Sequence, residues 1–428
     1  MLKNSKLMDK VNDFTMKISG PLVKFSNINA VASIQDGLVA CMPLIMIGSI
    51  FLILGVLGTP SIVSSTDPVL PFLSPYANYF FLVNDLTLGF LSFYASLTIA
   101  MGYAKRVHVE ERTAGLLGMV TFLLINLNVI KDGTISVAAF NAKGLFVSML
   151  VSILSVRIYK FFIDKKIVIR LPESVPPNVG NAFTSLIPYT VIFTIAWLIR
   201  SIIGFDMFGF LSEVLTPIIK AADNIISYTF VQTLCNTLWA AGLHGGNMLS
   251  AITTPIETMN IAQNAQAMTS NLPLENIWTA GFNYMHIWTS TVWPLLILMV
   301  FSKVQFLKKL SYICIPAAIF SIIEPVMFGL PLALNPFLII PFILSTLVGS
   351  FVTYGLCLLD VFSKFFATLP WATPPFILGP LASGDFMTVV VIIINIVIGL
   401  AIFYPFFKAF ERHELEKERL QEEALLNK

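Results

Sequence analysis

Glu324 is the one carboxylate in SIIEPVMFGLPLALNPFLIIP, residues 321–341, a run without any other charge. An ionised carboxylate among residues suited to a bilayer interior costs a few kcal/mol. The same run holds Pro325, Pro331, Pro336 and Pro341, each of which removes a backbone donor and interrupts a helix. Two such costs in one stretch point to half of a binding site. A second motif, GLHGGN at 242–247, supplies His244 and Asn247 as hydrogen-bonding groups, and Gly245 and Gly246 permit sharp turns and close ligand approach. Trp239 and Trp371 are candidate stacking platforms for the C–H face of a pyranose, although tryptophan is also the usual interfacial anchor. Glu257 and His286 are secondary candidates, and Asp36, heading the first span, reads as an interfacial cap. No phosphate-binding glycine loop, metal cluster or nucleophile–base pair is evident. Cys41, Cys235, Cys314 and Cys357 stand singly in apolar sequence and read as packing residues. The chain is therefore expected to need no cofactor or metal, and to lack the equipment to catalyse a reaction alone.

The elements that must position these residues are membrane elements. Of 428 residues, 56% are hydrophobic and only 12% charged, and the mean hydropathy is +0.83. Soluble domains carry about 25% charged residues, so this chain reads as an all-α polytopic membrane protein. No basic block suggests nucleic acid. Lys3, Lys6, Lys10, Lys17 and Lys24 interleave with apolar residues at helical spacing, predicting an interfacial amphipathic helix before the first span.

Apolar stretches of spanning length run at about 37–57, 86–104, 114–130, 144–163, 182–203, 226–243, 285–301, 311–330, 336–359 and 387–407. Loops rich in Lys and Arg stay cytoplasmic, which places the basic loops at 105–112 and 157–170 inside and SSTDPVLPFLSPY (64–76) outside. Beyond residue 170 parity fails, because three apolar stretches separate each pair of successive basic segments. Each interval therefore needs a re-entrant segment or a broken crossing. No Lys or Arg occurs from Ala221 to Ser302 or from Leu310 to Ser363, and these tracts hold the two candidate motifs. Interrupted backbone at membrane depth survives where it lines a cavity, and paired broken segments commonly meet at a transport site. The tail ERHELEKERLQEEALLNK reads as a solvated helix.

LPESVPPNVGNAFTSLIP (171–188), LWAAGLHGGN (238–247), EPVMFGLPLALNPFLIIPFIL (324–344) and LPWATPPFILGPLASGD (369–385), with IQDGLVACMPLIMIGS (34–49), resemble the lactose/cellobiose/diacetylchitobiose enzyme IIC family. Its members are membrane permeases of the bacterial phosphoenolpyruvate:sugar phosphotransferase system. The resemblance covers nearly the whole chain. It implies ten transmembrane helices with two re-entrant hairpins, a homodimer in the bacterial cell membrane, and both termini cytoplasmic. The implied organisation is an interfacial segment at 1–28, a scaffold and dimerisation half at 29–225, a sugar-binding half at 226–410 and a charged tail at 411–428. The implied substrate is a β-linked disaccharide or glucoside, phosphorylated on its 6-hydroxyl by a phosphocysteine of a separate enzyme IIB. By motif, Glu324 would hold and help deprotonate that hydroxyl, His244 would hydrogen-bond the sugar, and Trp239 and Trp371 would flank its rings. Family members usually read Asn-Ile-Asn-Glu-Pro where this chain has Ser321-Ile322-Ile323-Glu324-Pro325, and a Gly-rich segment where it has FNYMHIWTST (282–291). Both differences are expected at the sugar pocket. An ion-coupled sugar carrier and a non-transporting sugar sensor are the competing classes.

Overall fold

The computed structural model describes residues 20–60, 67–127, 137, 139–169, 171–172, 177–330, 332, 335 and 337–426. The expected amphipathic helix at the N-terminus lies outside them except at residues 20–24, which are helical; Pro331 and Pro336 also lie outside. Among the described residues there is no strand. The chain forms two compact units, Lys24–Ala221 with Ser250–Leu274, and Ala222–Leu249 with Glu275–Lys428, the second also counting Met1–Val23.

The first unit contains α1 (Asn29–Leu57), α2 (Ala77–Thr87), α3 (Leu91–Arg106), α4 (Glu111–Asn126), α5 (Leu145–Asp164), α6 (Pro177–Trp197) and nearly all of α7 (Met207–Ala222). Helices in a lipid-like solvent gain little from hydrophobic burial against one another and associate through close packing of small residues. α1 accordingly buries Ser33, Gly37, Cys41, Gly48 and Ser49, and α3 buries Ser92, Ala95, Ser96, Ala100 and Ala104. Ser152 of α5 donates from Oγ to the Ser96 carbonyl at 2.8 Å. At the predicted cytoplasmic ends Arg106 pairs with Asp36, and Glu110 caps α4 by accepting the Arg112 and Thr113 N–H groups. Asp36 is thus an ion-pair partner within α1 rather than the cap expected at its head, since the helix already starts at Asn29.

The second unit contains α8 (Ile225–Ala240), the first turn of α9 (Gly245–Thr269), α10 (Ala280–Val300), α11 (Gln305–Ile319), α12 (Glu324–Gly329), α13 (Ile339–Leu358), α14 (Pro375–Ser383) and α15 (Met387–Leu426). α10 packs against α11, α13, α14 and α15, and α13 packs against α8 and α15. Buried amides and hydroxyls lock these contacts. Asn395 Nδ2 donates to Thr353 Oγ1 at 2.8 Å and Asn236 Nδ2 donates to Thr346 Oγ1 at 2.7 Å.

Among the described residues, six helical stretches are long and apolar enough to cross a bilayer: Asn29–Leu57, Pro71–Arg106, Leu145–Asp164, Ala182–Ile202, Ile339–Leu358 and Met387–Leu420. Large apolar side chains such as Ile47, Leu154, Phe351 and Val397 face outward on them, where a water-soluble protein would place charge. This is a multi-pass membrane architecture. One expectation changes in detail: the stretch 311–330 is not one helix, because the chain breaks between Ile319 and Glu324. α15 runs unbroken from Met387 to Leu426, and within it the buried Glu411 accepts from Ser302 Oγ and the Lys303 N–H, each at 2.7 Å.

Candidate functional site

The GLHGGN motif is a helix-to-helix turn built from two linked caps. Gly242 takes φ +82°, the left-handed conformation that glycine adopts without penalty. Its N–H reaches the Trp239 carbonyl and the Leu243 N–H reaches the Leu238 carbonyl, both at 2.9 Å, the hydrogen-bond pair of a Schellman ending for α8. His244 then opens α9, its carbonyl accepting the Met248 N–H at 3.2 Å and its Nδ1 accepting the Asn247 N–H at 3.1 Å. With Nδ1 used as an acceptor, a neutral His244 carries its proton on Nε2, so the exposed ring offers a donor. The imidazole lies over Trp239, ring centroids 4.2 Å apart, and the edge of Trp288 lies against the same indole at 6.4 Å. Trp239 is 4% exposed, so it is the floor beneath His244 rather than an open platform. At Gly245 a Cβ would stand 2.0 Å from the Cys235 carbonyl oxygen; the turn closes only because none is there. Asn247 is exposed on the first turn of α9.

Glu324 reaches the surface through a second break. Ser321 adopts φ 59° at the end of α11, its N–H donating to the Ala318 carbonyl at 3.0 Å and the Ile322 N–H to the Ala317 carbonyl at 3.1 Å. α12 then begins at Glu324, with Pro325 in the first turn, where no donor is needed. Ile323, Val326, Met327 and Leu330 root this short helix in the apolar cluster that also contains Trp239, Leu295 and Leu296. The tertiary structure therefore mounts the His244 turn and the Glu324 turn on one core. The Glu324 side chain is exposed and makes no hydrogen bond or ion pair among the described residues.

The sequence differences before Glu324 lie under this surface. Ile323 is 3% exposed and part of the apolar cluster, and Ser321 is buried with Oγ unpartnered. A left-handed serine with an unsatisfied hydroxyl is doubly unfavourable. Ser321→Gly is expected to stabilise the protein by about 1 kcal/mol, read as a higher melting temperature in detergent. An unchanged or lower value would show that the hydroxyl is satisfied.

Trp371 lies apart. Residues 363–370 form neither helix nor strand, and the N–H groups of Phe366 and Ala367 donate to the Ala382 carbonyl at 3.0 and 3.2 Å. Asp385 Oδ2 accepts the Ser363 N–H at 2.8 Å. This leg thus doubles back on α14, and Trp371 stands at the turn between them, 52% exposed. Among the described residues no ring contact or hydrogen bond joins it to Trp239, His244 or Glu324.

The two secondary candidates have other surroundings. His286 is fully buried in α10, its Nδ1 2.9 Å from the Phe282 carbonyl and its Nε2 3.2 Å from the Tyr228 hydroxyl. Tyr228 in turn donates to Asn283 Oδ1 at 2.6 Å, which also accepts from Gln232 Nε2 at 3.2 Å. Part of FNYMHIWTST thus forms a buried helix-packing network around His286. Glu257 is half-buried on α9 within the first unit. Sequence reasoning missed Asp223, whose carboxylate accepts the Ile277 and Trp278 N–H groups at 2.9 and 3.0 Å and the Tyr354 hydroxyl at 2.9 Å. Its place in a tract without Lys or Arg was the available signal, and its task is to anchor the segment before α10.

Comparison with known proteins agrees with this architecture. Residues 35–346 match the family model described as phosphotransferase system, EIIC. The chain is 30% identical to the cellobiose-specific EIIC component of Geobacillus stearothermophilus, over 96% of this chain and 95% of that one. It is 26% identical to the lactose-specific EIICB component of Lactococcus lactis subsp. lactis, over 98% of this chain and 74% of that one. The solved structure of the transporter ChbC, the IIC component from the N,N'-diacetylchitobiose-specific phosphotransferase system, superimposes with a TM-score of 0.84 and 28% identity, covering 95% of this chain and 99% of that chain. A match across most of the sequence, joined to an all-helical membrane architecture, establishes that this chain belongs to the EIIC family of the phosphotransferase system.

Proposed function

We propose that this permease carries a β-linked disaccharide or glucoside and presents its 6-hydroxyl to a phosphocysteine on a separate enzyme IIB. The observation that carries the reading is the exposed Glu324 carboxylate, without an ion pair among the described residues and rooted in the same core as the His244–Trp239 turn. In the transfer the thiolate–phosphorus bond breaks as the sugar oxygen–phosphorus bond forms, and Glu324 takes the hydroxyl proton. His244 donates from Nε2 to a neighbouring sugar oxygen, Asn247 supplies amide contacts, and Gly245 and Gly246 let backbone approach. Such transfer depends mainly on positioning and charge stabilisation, so a membrane subunit can contribute without owning the phosphate. Buried Cys41, Cys314 and Cys357 and half-buried Cys235 are poorly placed to be donors. The similarity to cellobiose, lactose and diacetylchitobiose components supports the substrate class.

On this reading residues 29–225 are the scaffold and homodimer interface, and both termini are cytoplasmic. The helix breaks at 241–244 and 320–323 and the hairpin at 362–383 belong to re-entrant or interrupted segments around the sugar. The test uses inside-out vesicles, purified phosphotransferase components and radiolabelled β-disaccharides, scoring phosphoenolpyruvate-dependent sugar phosphate. Product from one sugar supports group translocation and names the substrate. Sugar binding without product would transfer the case to a carrier or sensor. Trp371→Ala is expected to weaken sugar binding by about 1 kcal/mol, roughly fivefold, if the hairpin tip folds over the sugar. An unchanged dissociation constant returns Trp371 to an interfacial anchor.

A further inference from the structure

At one end of its core the second unit gathers positive charge from two segments far apart in sequence. The α10–α11 turn carries Lys303, the first turns of α11 carry Lys308 and Lys309, and α15 carries Lys408 and Arg412. Buried Glu411 ties the two segments together. Its Oε1 accepts from Ser302 Oγ and the Lys303 N–H, and its Oε2 accepts from Lys408 Nζ at 2.6 Å. Beneath them Val304 and Leu307 share an apolar cluster with Phe403, Phe407 and Phe410, so the segments are fixed side by side.

Glu411 offsets one of these cations, and both of its oxygens are already occupied. Lys303, Lys308, Lys309 and Arg412 form no ion pair among the described residues, and the first turn of α11 holds no acidic residue. The next acid on α15, Glu414, pairs with Lys417 instead. Lysines at the ends of spans are common and mark topology, but here tertiary packing crowds them without counter-charge. Beyond them the chemistry changes. No charged residue occurs from Leu310 to Ile323. Phe306, Lys309, Tyr312 and Ile313 follow one another at helical spacing on one exposed face of α11, and Ile313 is 71% exposed. A cationic end leading into an open apolar face complements a molecule that is anionic at one end and hydrocarbon at the other. A phosphate-bearing protein would match the lysines and leave the apolar face uncovered.

We propose that this end of the second unit is a binding site for an anionic phospholipid. Its phosphate sits among Lys303, Lys308, Lys309 and Arg412, and its acyl chains lie along Phe306, Tyr312 and Ile313. The proposal needs the membrane architecture but not the sugar reading. A basic residue near an anionic leaflet strengthens association about fivefold, so the lysines can be removed and counted.

Native mass spectrometry of the full chain in detergent, titrated with phosphatidylglycerol or with phosphatidylcholine, reads the site. Phosphatidylglycerol should be retained in preference to phosphatidylcholine. Lys308→Gln combined with Lys309→Gln should weaken phosphatidylglycerol about 25-fold, leaving phosphatidylcholine binding and the melting temperature unchanged. Lys308→Arg combined with Lys309→Arg, which keeps the charge, should retain the preference. Glycerol phosphate, which has the anionic group without the chains, should not displace the lipid at equal concentration. Displacement by it would mean a site for free phosphate and overturn the proposal. Equal retention of the two lipids, or an unchanged phosphatidylglycerol affinity in the folded glutamine variant, also overturns it. If that variant keeps its lipid but needs more phospho-enzyme IIB for sugar phosphorylation, the lysines serve a protein partner and the lipid site fails.

Discussion

Glu324→Gln is expected to reduce phosphoenolpyruvate-dependent sugar phosphorylation by at least about 10²-fold, the lower range for loss of a positioned general base. Glutamine keeps the size of the side chain and the ability to accept a hydrogen bond, but it cannot take up the proton released when the sugar oxygen attacks phosphorus. Because Glu324 is exposed and forms no ion pair among the described residues, its replacement should leave folding intact. The melting temperature and the elution volume of the variant should match those of the wild type. Sugar binding should fall far less than turnover, since most contacts with the ligand persist. The comparison therefore separates proton acceptance from grip. Wild-type phosphorylation rates in the folded variant would falsify the central role given to this carboxylate.

Gly245→Ala should damage both stability and sugar binding. The added Cβ would sit 2.0 Å from the Cys235 carbonyl oxygen and 3.1 Å from the Cys235 Cα. Those are backbone atoms of α8, so no side-chain rotation relieves the clash, and the α8–α9 turn must open. The cost is roughly 1–3 kcal/mol, as for overpacking elsewhere, and it falls on the turn that aims His244 and Asn247. The neighbouring position is an internal control. At Gly246 a Cβ would meet only His244 ring atoms, the nearest at 3.5 Å, an ordinary contact. Gly246→Ala should thus leave the melting temperature nearly unchanged. Thermal unfolding in detergent and equilibrium sugar binding, run on both variants, check the pair. Equal effects at the two positions would show that the close approach to α8 is not what the motif requires.

Much of this protein is legible without coordinates. Few charges and a high hydropathy leave only a membrane solution, because a chain this apolar cannot cover a soluble surface. The tracts without Lys or Arg hold the helix breaks at 241–244 and 320–323, since prolines and glycines mark breaks. Glu324 and GLHGGN stood out because polar groups are costly in such surroundings. Hydropathy could not say that 311–330 is two helices. The left-handed Ser321 that ends α11 is a backbone conformation, and a serine there carries no sequence signal. Nor could spacing distinguish the buried Trp239 from the exposed Trp371. Both are tryptophans in proline- or glycine-broken apolar sequence, and only packing against Trp288 and the Val326–Met327 cluster separates floor from tip. His286 and Asp223 illustrate the same limit. A lone polar residue in an apolar tract can meet a ligand or another helix, and its sequence neighbours do not distinguish the two. By itself the sequence determined solvent, element type and where polar cost is concentrated, because those follow from residue chemistry summed along the chain. Tertiary structure alone decided which of those polar groups find partners inside the protein and which remain open, because that depends on helices far apart in the chain meeting face to face.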